Sequence, residues 1–148
     1  MPSSLHLSYS INGSFNEVYT SILDFKKFGQ LHPYMKSVEV IAQSNNTMEY
    51  IVHEKLKLWG IIPMKPCYQA TIVEVEKNKH IRYLSEVKKG LFLTVDFIFE
   101  IPSNGQAIQI AEHITLQGNP WVHAVFLSLL RKSHEHVFKS LQKNSIML

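Results

Sequence analysis

Between residues 35 and 117 the chain reads with a period of two almost without a break. Apolar and polar residues alternate through six segments, 35–43, 47–58, 66–76, 79–88, 91–101 and 105–117. Side chains of a strand point to opposite faces in turn, so this alternation marks strands with one face buried. Turn residues separate the segments: Ser44-Asn45-Asn46, Gly60 through Pro66, Lys77-Asn78, Lys89-Gly90 and Ser103-Asn104-Gly105. Most of these connections are too short for the crossover that parallel neighbours require. The segments are therefore expected to form an antiparallel meander.

What flanks the meander differs in kind. Leu5, Leu7, Tyr9 and Ile11 alternate as a first strand, which Asn12-Gly13-Ser14 ends. Ser14 with Glu17 three residues later reads as a capping box, followed by Phe15, Val18, Tyr19 and Ile22 on one side of a short helix. Asp24 can cap a second short helix through Phe25, Phe28 and Leu31, and Pro33 ends it. After the meander, Asn119 as N-cap and Pro120 at the first helical position start a helix running to about Lys143. Val122, Val125, Phe126, Leu129, Leu130, Val137 and Leu141 share one face of it, opposite Arg131, Lys132, Glu135, Lys139 and Gln142. The expected fold is α+β: a curved antiparallel sheet of about seven strands gripping a long C-terminal helix, with two short helices after the first strand. It is expected to form a single domain over 1–148. A twisted sheet closes imperfectly on one helix, and the gap becomes a cavity.

This order resembles the START-like helix-grip superfamily, which includes pollen-allergen-like carriers, START lipid-transfer domains and polyketide cyclase-like proteins. The resemblance runs from about Leu5 to Gln142. It is carried by LSYSINGSFNEVYTSILDFKKFGQLHPYMKSVEVI at the start and GNPWVHAVFLSLLRKSHEHVFKSLQ at the end. It implies the fold and an apolar cavity. It carries over no catalytic residue, because the superfamily has no invariant catalytic signature.

Composition narrows the function classes. The net charge is +3, but the lysines and arginines are scattered rather than gathered in a stripe, so nucleic acid is not an expected partner. Cys67 is the one cysteine, which rules out an internal disulfide and a Cys-based zinc site and fits a reducing cytoplasm. No signal peptide and no run of ~18 apolar residues is apparent. There is no glycine-rich phosphate loop, so no nucleotide cofactor is expected. His134 and His136 point about 200° apart on a helix, and His123 lies about three turns from His134, so no metal site is expected either.

The residues that can carry function sit in the apolar rows. Glu54 is the one charged member of Met48, Tyr50, Val52, Glu54, Leu56 and Leu58. Glu112 is the one charged member of Ile108, Ile110, Glu112, Ile114 and Leu116. A carboxylate in such a row is desolvated, which raises its pKa and suits it to hold a ligand's polar group or to transfer a proton. The competing readings are a bulge that turns the glutamate outward, or a buried ion pair with Arg82 or a histidine. Ser133, near the centre of the helix's apolar face, can bond back to the carbonyl of Leu129 or meet a ligand oxygen. The expected cavity wall is Tyr50, Val52, Leu56, Tyr68, Ala70, Leu93, Val95, Phe97, Ile110, Phe126 and Leu130, with Glu54, Glu112 and Ser133 as polar anchors. His32 reads as a turn residue, His123 as a hydrogen bonder on the helix flank, and Cys67 as a buried or half-buried thiol.

The segment LKLWGIIPMKP, residues 56–66, is too apolar for an ordinary turn. Trp59, Ile61, Ile62 and Met64 are expected to line or cover the cavity mouth. The alternatives are burial of Ile61 and Ile62 as core, or a transient membrane or dimer contact through Trp59–Met64. Three functions remain open: binding of a lipid-like or aromatic molecule, a cyclase-like enzyme using a cavity carboxylate as acid or base, and a protein-interaction module. Only a few polar groups can be placed inside from sequence, which favours the first.

Overall fold

The computed structural model describes residues 3–58, 61–100 and 107–146. Strand β1 (Ser3–Ile11) leads into helices α1 (Phe15–Leu23) and α2 (Phe25–Leu31). The strands β2 (Met35–Ser44), β3 (Thr47–Glu54), β4 (Leu56–Leu58), β5 (Ile62–Met64), β6 (Cys67–Glu76), β7 (His80–Lys88), β8 (Leu91–Glu100) and β9 (Ile108–Gln117) follow. A 3-10 turn (Pro120–Val122) then opens the long helix α3 (His123–Ile146).

Seven strands form one curved antiparallel sheet in the order β1-β9-β8-β7-β6-β3-β2, while β4 and β5 pair separately as a hairpin. The first strand closes on the last, from Ser3 opposite Leu116 to Ile11 opposite Ile108. Two departures from the sequence reading occur at the hairpin. The expected strand 47–58 breaks at Lys55, whose N–H donates to the carbonyl of Tyr34, and the expected turn between Gly60 and Pro66 contains strand β5. The expected strand starting at 105 begins at Ile108, and Ile101 to Gln106 lie outside the described residues.

Local chemistry accounts for the element ends. The Ser14 hydroxyl accepts from the Glu17 N–H and the Asp24 carboxylate from the Lys26 N–H, so each short helix has its cap. Asn119 accepts from the Trp121 N–H, and Pro120 occupies the first position of the 3-10 turn. A Cβ at Gly29 would come within 2.7 Å of Val38, so glycine lets α2 lie close on β2.

The core fills one end of the molecule. Val18, Tyr19 and Ile22 of α1, Phe25 and Phe28 of α2, and Val137, Phe138 and Leu141 of α3 are buried against the inner face of the sheet. Aromatic rings do much of the filling: Tyr9 stacks on Phe138 at 3.8 Å, and Phe25 touches Phe28, Tyr50 and Tyr83 at 5.2–5.5 Å between centroids.

Candidate functional site

A cavity of about 600 Å³ separates the N-terminal half of α3 from the sheet. Val125, Phe126, Leu129 and Leu130 line it from the helix, and Ile72, Ile81, Leu93, Val95 and Phe97 from the sheet. Leu56, Met64, Lys65, Pro66 and Cys67 border it at the hairpin, and Trp121 borders it from the 3-10 turn, 89% exposed. Volume and apolar lining are those of a small-molecule pocket.

Of the wall expected from sequence, Leu56, Tyr68, Leu93, Val95, Phe97, Phe126 and Leu130 line the cavity, as do Glu54 and Ser133. Tyr50, Val52, Ala70 and Ile110 do not; they are buried in the packed core, where Phe25 of α2 lies against Tyr50. Ile62 does not line it either. Ile61 and Ile62 are exposed, because the β4–β5 hairpin stands apart from the main sheet, and this also removes the reading of them as core. Trp59 lies outside the described residues. Cys67 is exposed at the cavity's edge, not buried, with Sγ 3.9 Å from Nε2 of His53.

The two glutamates take different positions. Glu54, the last residue of β3, faces the cavity and accepts a hydrogen bond from the Tyr68 hydroxyl. Burial pushes its pKa up, and the Tyr68 bond and the His134 charge only partly offset this. Burial, with Tyr83 and Glu54 alongside, likewise pushes the Tyr68 hydroxyl up, and Tyr83 itself donates to Ser85 at 3.0 Å. Glu112 is fully buried (0% exposed) and does not line the cavity as expected; it stands behind His134, whose Nδ1 bonds one carboxylate oxygen. Of the partners considered from sequence, the histidine holds Glu112, while Arg82 bonds Asp96 at 2.8 Å.

Two histidines join the site that the sequence reading did not place there. His134 lines the cavity, held edge-on by Phe28 at 5.7 Å and near-parallel to Phe97 at 6.2 Å. His32 caps α2 but is no mere turn residue. It is buried, lines the cavity, and its ring centroid is 6.2 Å from that of His134. Desolvation first, then the charges of His134 and His136, lower its pKa to about 3. The legible signal was a buried glutamate on β9 that needed a partner on the facing helix, with His134 beside Ser133 on the apolar stripe. Ser133 bonds back to the carbonyl of Leu130, not Leu129, at 3.1 Å. His123 is buried and shares a 2.6 Å hydrogen bond with Ser3.

No protein-family profile matches the chain, and no curated protein matches it by sequence. Solved structures do match in shape. The Zhui aromatase/cyclase from Streptomyces sp. R1128 superposes with a TM-score of 0.79 at 6% identity, covering 98% of this chain and 94% of that one. The di-domain ARO/CYC BexL from the BE-7585A biosynthetic pathway matches with 0.77 at 13% identity, over 97% of this chain and 50% of that one. This chain thus spans about half of that di-domain's length. A START superfamily protein from Mycobacterium smegmatis matches with 0.73 at 13% identity and 97% coverage of both chains. The chain has the START-like helix-grip fold. No helix among the described residues is long and apolar enough to cross a membrane.

Proposed function

We propose that the protein binds a small hydrophobic molecule, lipid-like or aromatic, between the sheet and α3. The observation that carries this reading is the cavity: about 600 Å³, walled by aliphatic and aromatic side chains, with a few polar groups converging at Glu54, Tyr68, Ser133 and His134. Interiors otherwise pack to crystal density, so a void of this size forgoes packing contacts that an apolar occupant would restore. An apolar body would fill the aliphatic wall. A hydroxyl or carbonyl on it would meet Glu54, which burial biases toward the neutral, hydrogen-donating acid.

The test is native mass spectrometry of the protein purified from cells, followed by denaturing extraction. A discrete copurifying hydrophobic species supports the reading. A protein that emerges empty, and that also fails to take up an apolar fluorescent probe such as N-phenyl-1-naphthylamine, counts against it. In a folded Glu54→Lys variant the probe should lose affinity, because a lysine ammonium would have to be desolvated in the same wall.

A second reading, an enzyme of the aromatase/cyclase kind, gains from one specific observation. The interior holds more converging polar groups than the sequence alone allowed: Glu54, Tyr68, Tyr83, Ser133, His32 and His134 all line one cavity. The extraction experiment separates the two. A carrier yields one species unchanged by incubation with the protein, and an enzyme converts what it binds.

A further inference from the structure

We propose that His134, oriented by Glu112, is the base of a proton-transfer site whose substrate is a carbon acid: an apolar molecule with a C–H next to a carbonyl. This rests on the cavity-binding reading and assigns it a chemistry.

The geometry begins with an expensive feature. Glu112 is 0% exposed in the middle of a β9 row of Ile108, Ile110, Ile114 and Leu116. One carboxylate oxygen takes the Nδ1–H of His134. The other has no partner within strict hydrogen-bond distance among the described residues, and neither has the buried Tyr9 hydroxyl, although the two stand close enough to act on each other. Burying a carboxylate this way is costly, and a well-packed apolar pair in its place would be as stable or more so. The helix does not need the pair for attachment, since Val137, Phe138 and Leu141 already dock it.

What the pair does achieve is control of the imidazole. With Nδ1 donating to Glu112, the neutral ring carries its lone pair on Nε2. His134 lines the cavity, and Nδ1 is taken, so Nε2 is the nitrogen left for a bound molecule. Phe28 and Phe97 hold the ring from two sides. A base whose tautomer and orientation are set before binding has the form used in general-base catalysis. His134 would touch the substrate; Glu112 is a positioning residue.

The complementary acid is in the same cavity. Glu54 lines that cavity together with His134, and burial favours its protonated form. A histidine held in one tautomer and a buried carboxyl lining the same apolar cavity can act as a base and acid pair. In the step, the C–H bond next to the carbonyl breaks and its proton goes to Nε2. The electron pair forms the C=C bond of an enol, and the carbonyl oxygen takes a proton from Glu54. Return of the proton from Nε2 to carbon, and of the hydroxyl proton to Glu54, restores the ketone. Nothing is oxidised or reduced.

The test uses β-tetralone in heavy water, with deuterium uptake read by mass spectrometry and binding read by calorimetry. The wild-type protein should speed exchange by about 10²-fold or more over buffer. His134→Gln should bring the rate close to that of buffer with β-tetralone bound as before. Glu112→Gln should lower kcat with little change in KM, because an amide can also turn its NH2 toward Nδ1 and favour the other tautomer, and it lacks the charge that stabilises the imidazolium. Glu54→Gln should retain part of the acceleration. If Glu112→Gln does not fold, as judged by circular dichroism, His134→Gln decides alone. Binding without accelerated exchange overturns this proposal and leaves the cavity reading standing, as does a His134→Gln variant as fast as wild type. Absence of binding at millimolar β-tetralone overturns both.

Discussion

The C-terminal half of α3 sets Val137, Phe138 and Leu141 against a filled interior, each at most 5% exposed. The N-terminal half sets Val125, Phe126, Leu129 and Leu130 against the cavity, where they are only half-buried. Both halves carry the same kind of apolar stripe, so the difference comes from what stands opposite. Facing the C-terminal half, Tyr9 stacks on Phe138 and Phe97 reaches it at 6.2 Å. Facing the N-terminal half, β3 stops at Glu54, and the β4–β5 hairpin forms its own small sheet, with Leu56 and Met64 bordering the cavity. One helix thus serves as anchor at one end and as binding wall at the other.

Substitutions at the two ends should separate sharply. Phe138→Ala should destabilise the fold by about 3–5 kcal/mol in urea unfolding, the usual cost of emptying a packed aromatic site. Leu130→Ala should cost under about 1.5 kcal/mol, because its side chain already borders open volume and removing it creates little new void. Equal costs at the two positions would mean that the cavity end is as tightly filled as the anchor end.

Acidification should act next, and at the junction of the two ends. His32 is neutral in the fold, with its pKa held down to about 3 from an ordinary 6.5. The unfolded chain then binds more protons below pH 6.5, so stability is complete above that value and falls with pH toward 3. The His32 contribution lost by pH 5 should be about 2 kcal/mol, read as the difference between wild type and His32→Gln in unfolding at pH 7.5 and pH 5. A pH dependence identical in the two proteins would show that His32 is solvated.

The smallest effect belongs to the cavity wall. Glu54 has a raised pKa, so its burial is tolerated when protonated and opposed when ionised. The native state binds the extra proton, and its contribution is full below the ordinary carboxylate range and lost as pH rises. Glu54→Gln should therefore stabilise the protein slightly at pH 8 and not at pH 4. A thermal unfolding series across that interval checks the sign. Stabilisation that grows toward acid would place Glu54 outside the cavity wall.

Much of the fold was legible because its signals are local. Ser14 caps with Glu17, Asp24 caps α2, Asn119 and Pro120 start the 3-10 turn before α3, and period two marks the strands; each depends on neighbours in sequence. The site was half legible. Glu54 and Glu112 both stood out as single charges in apolar rows, yet one ends against the cavity and the other behind a histidine. His32 carried no local sign of its role, since it looks like an ordinary residue at a helix end, and the sign for His134 was indirect, a glutamate in an apolar row that needed a partner on the facing helix. Cys67 was expected to be buried or half-buried and is exposed, because its place at the start of β6 opposite His53 is set by a strand pairing remote in sequence.

By itself, then, the chain determined which segments become strands and helices and which of their faces are apolar. These follow from dihedral preference, capping and periodicity within a few residues. Tertiary structure alone decided where the apolar surface is consumed in packing and where it is left to line a cavity. It also decided which glutamate meets which histidine. Those outcomes depend on the curvature of seven strands around one helix, and on groups such as Glu112 and His134, 22 positions apart, meeting only once the sheet has closed.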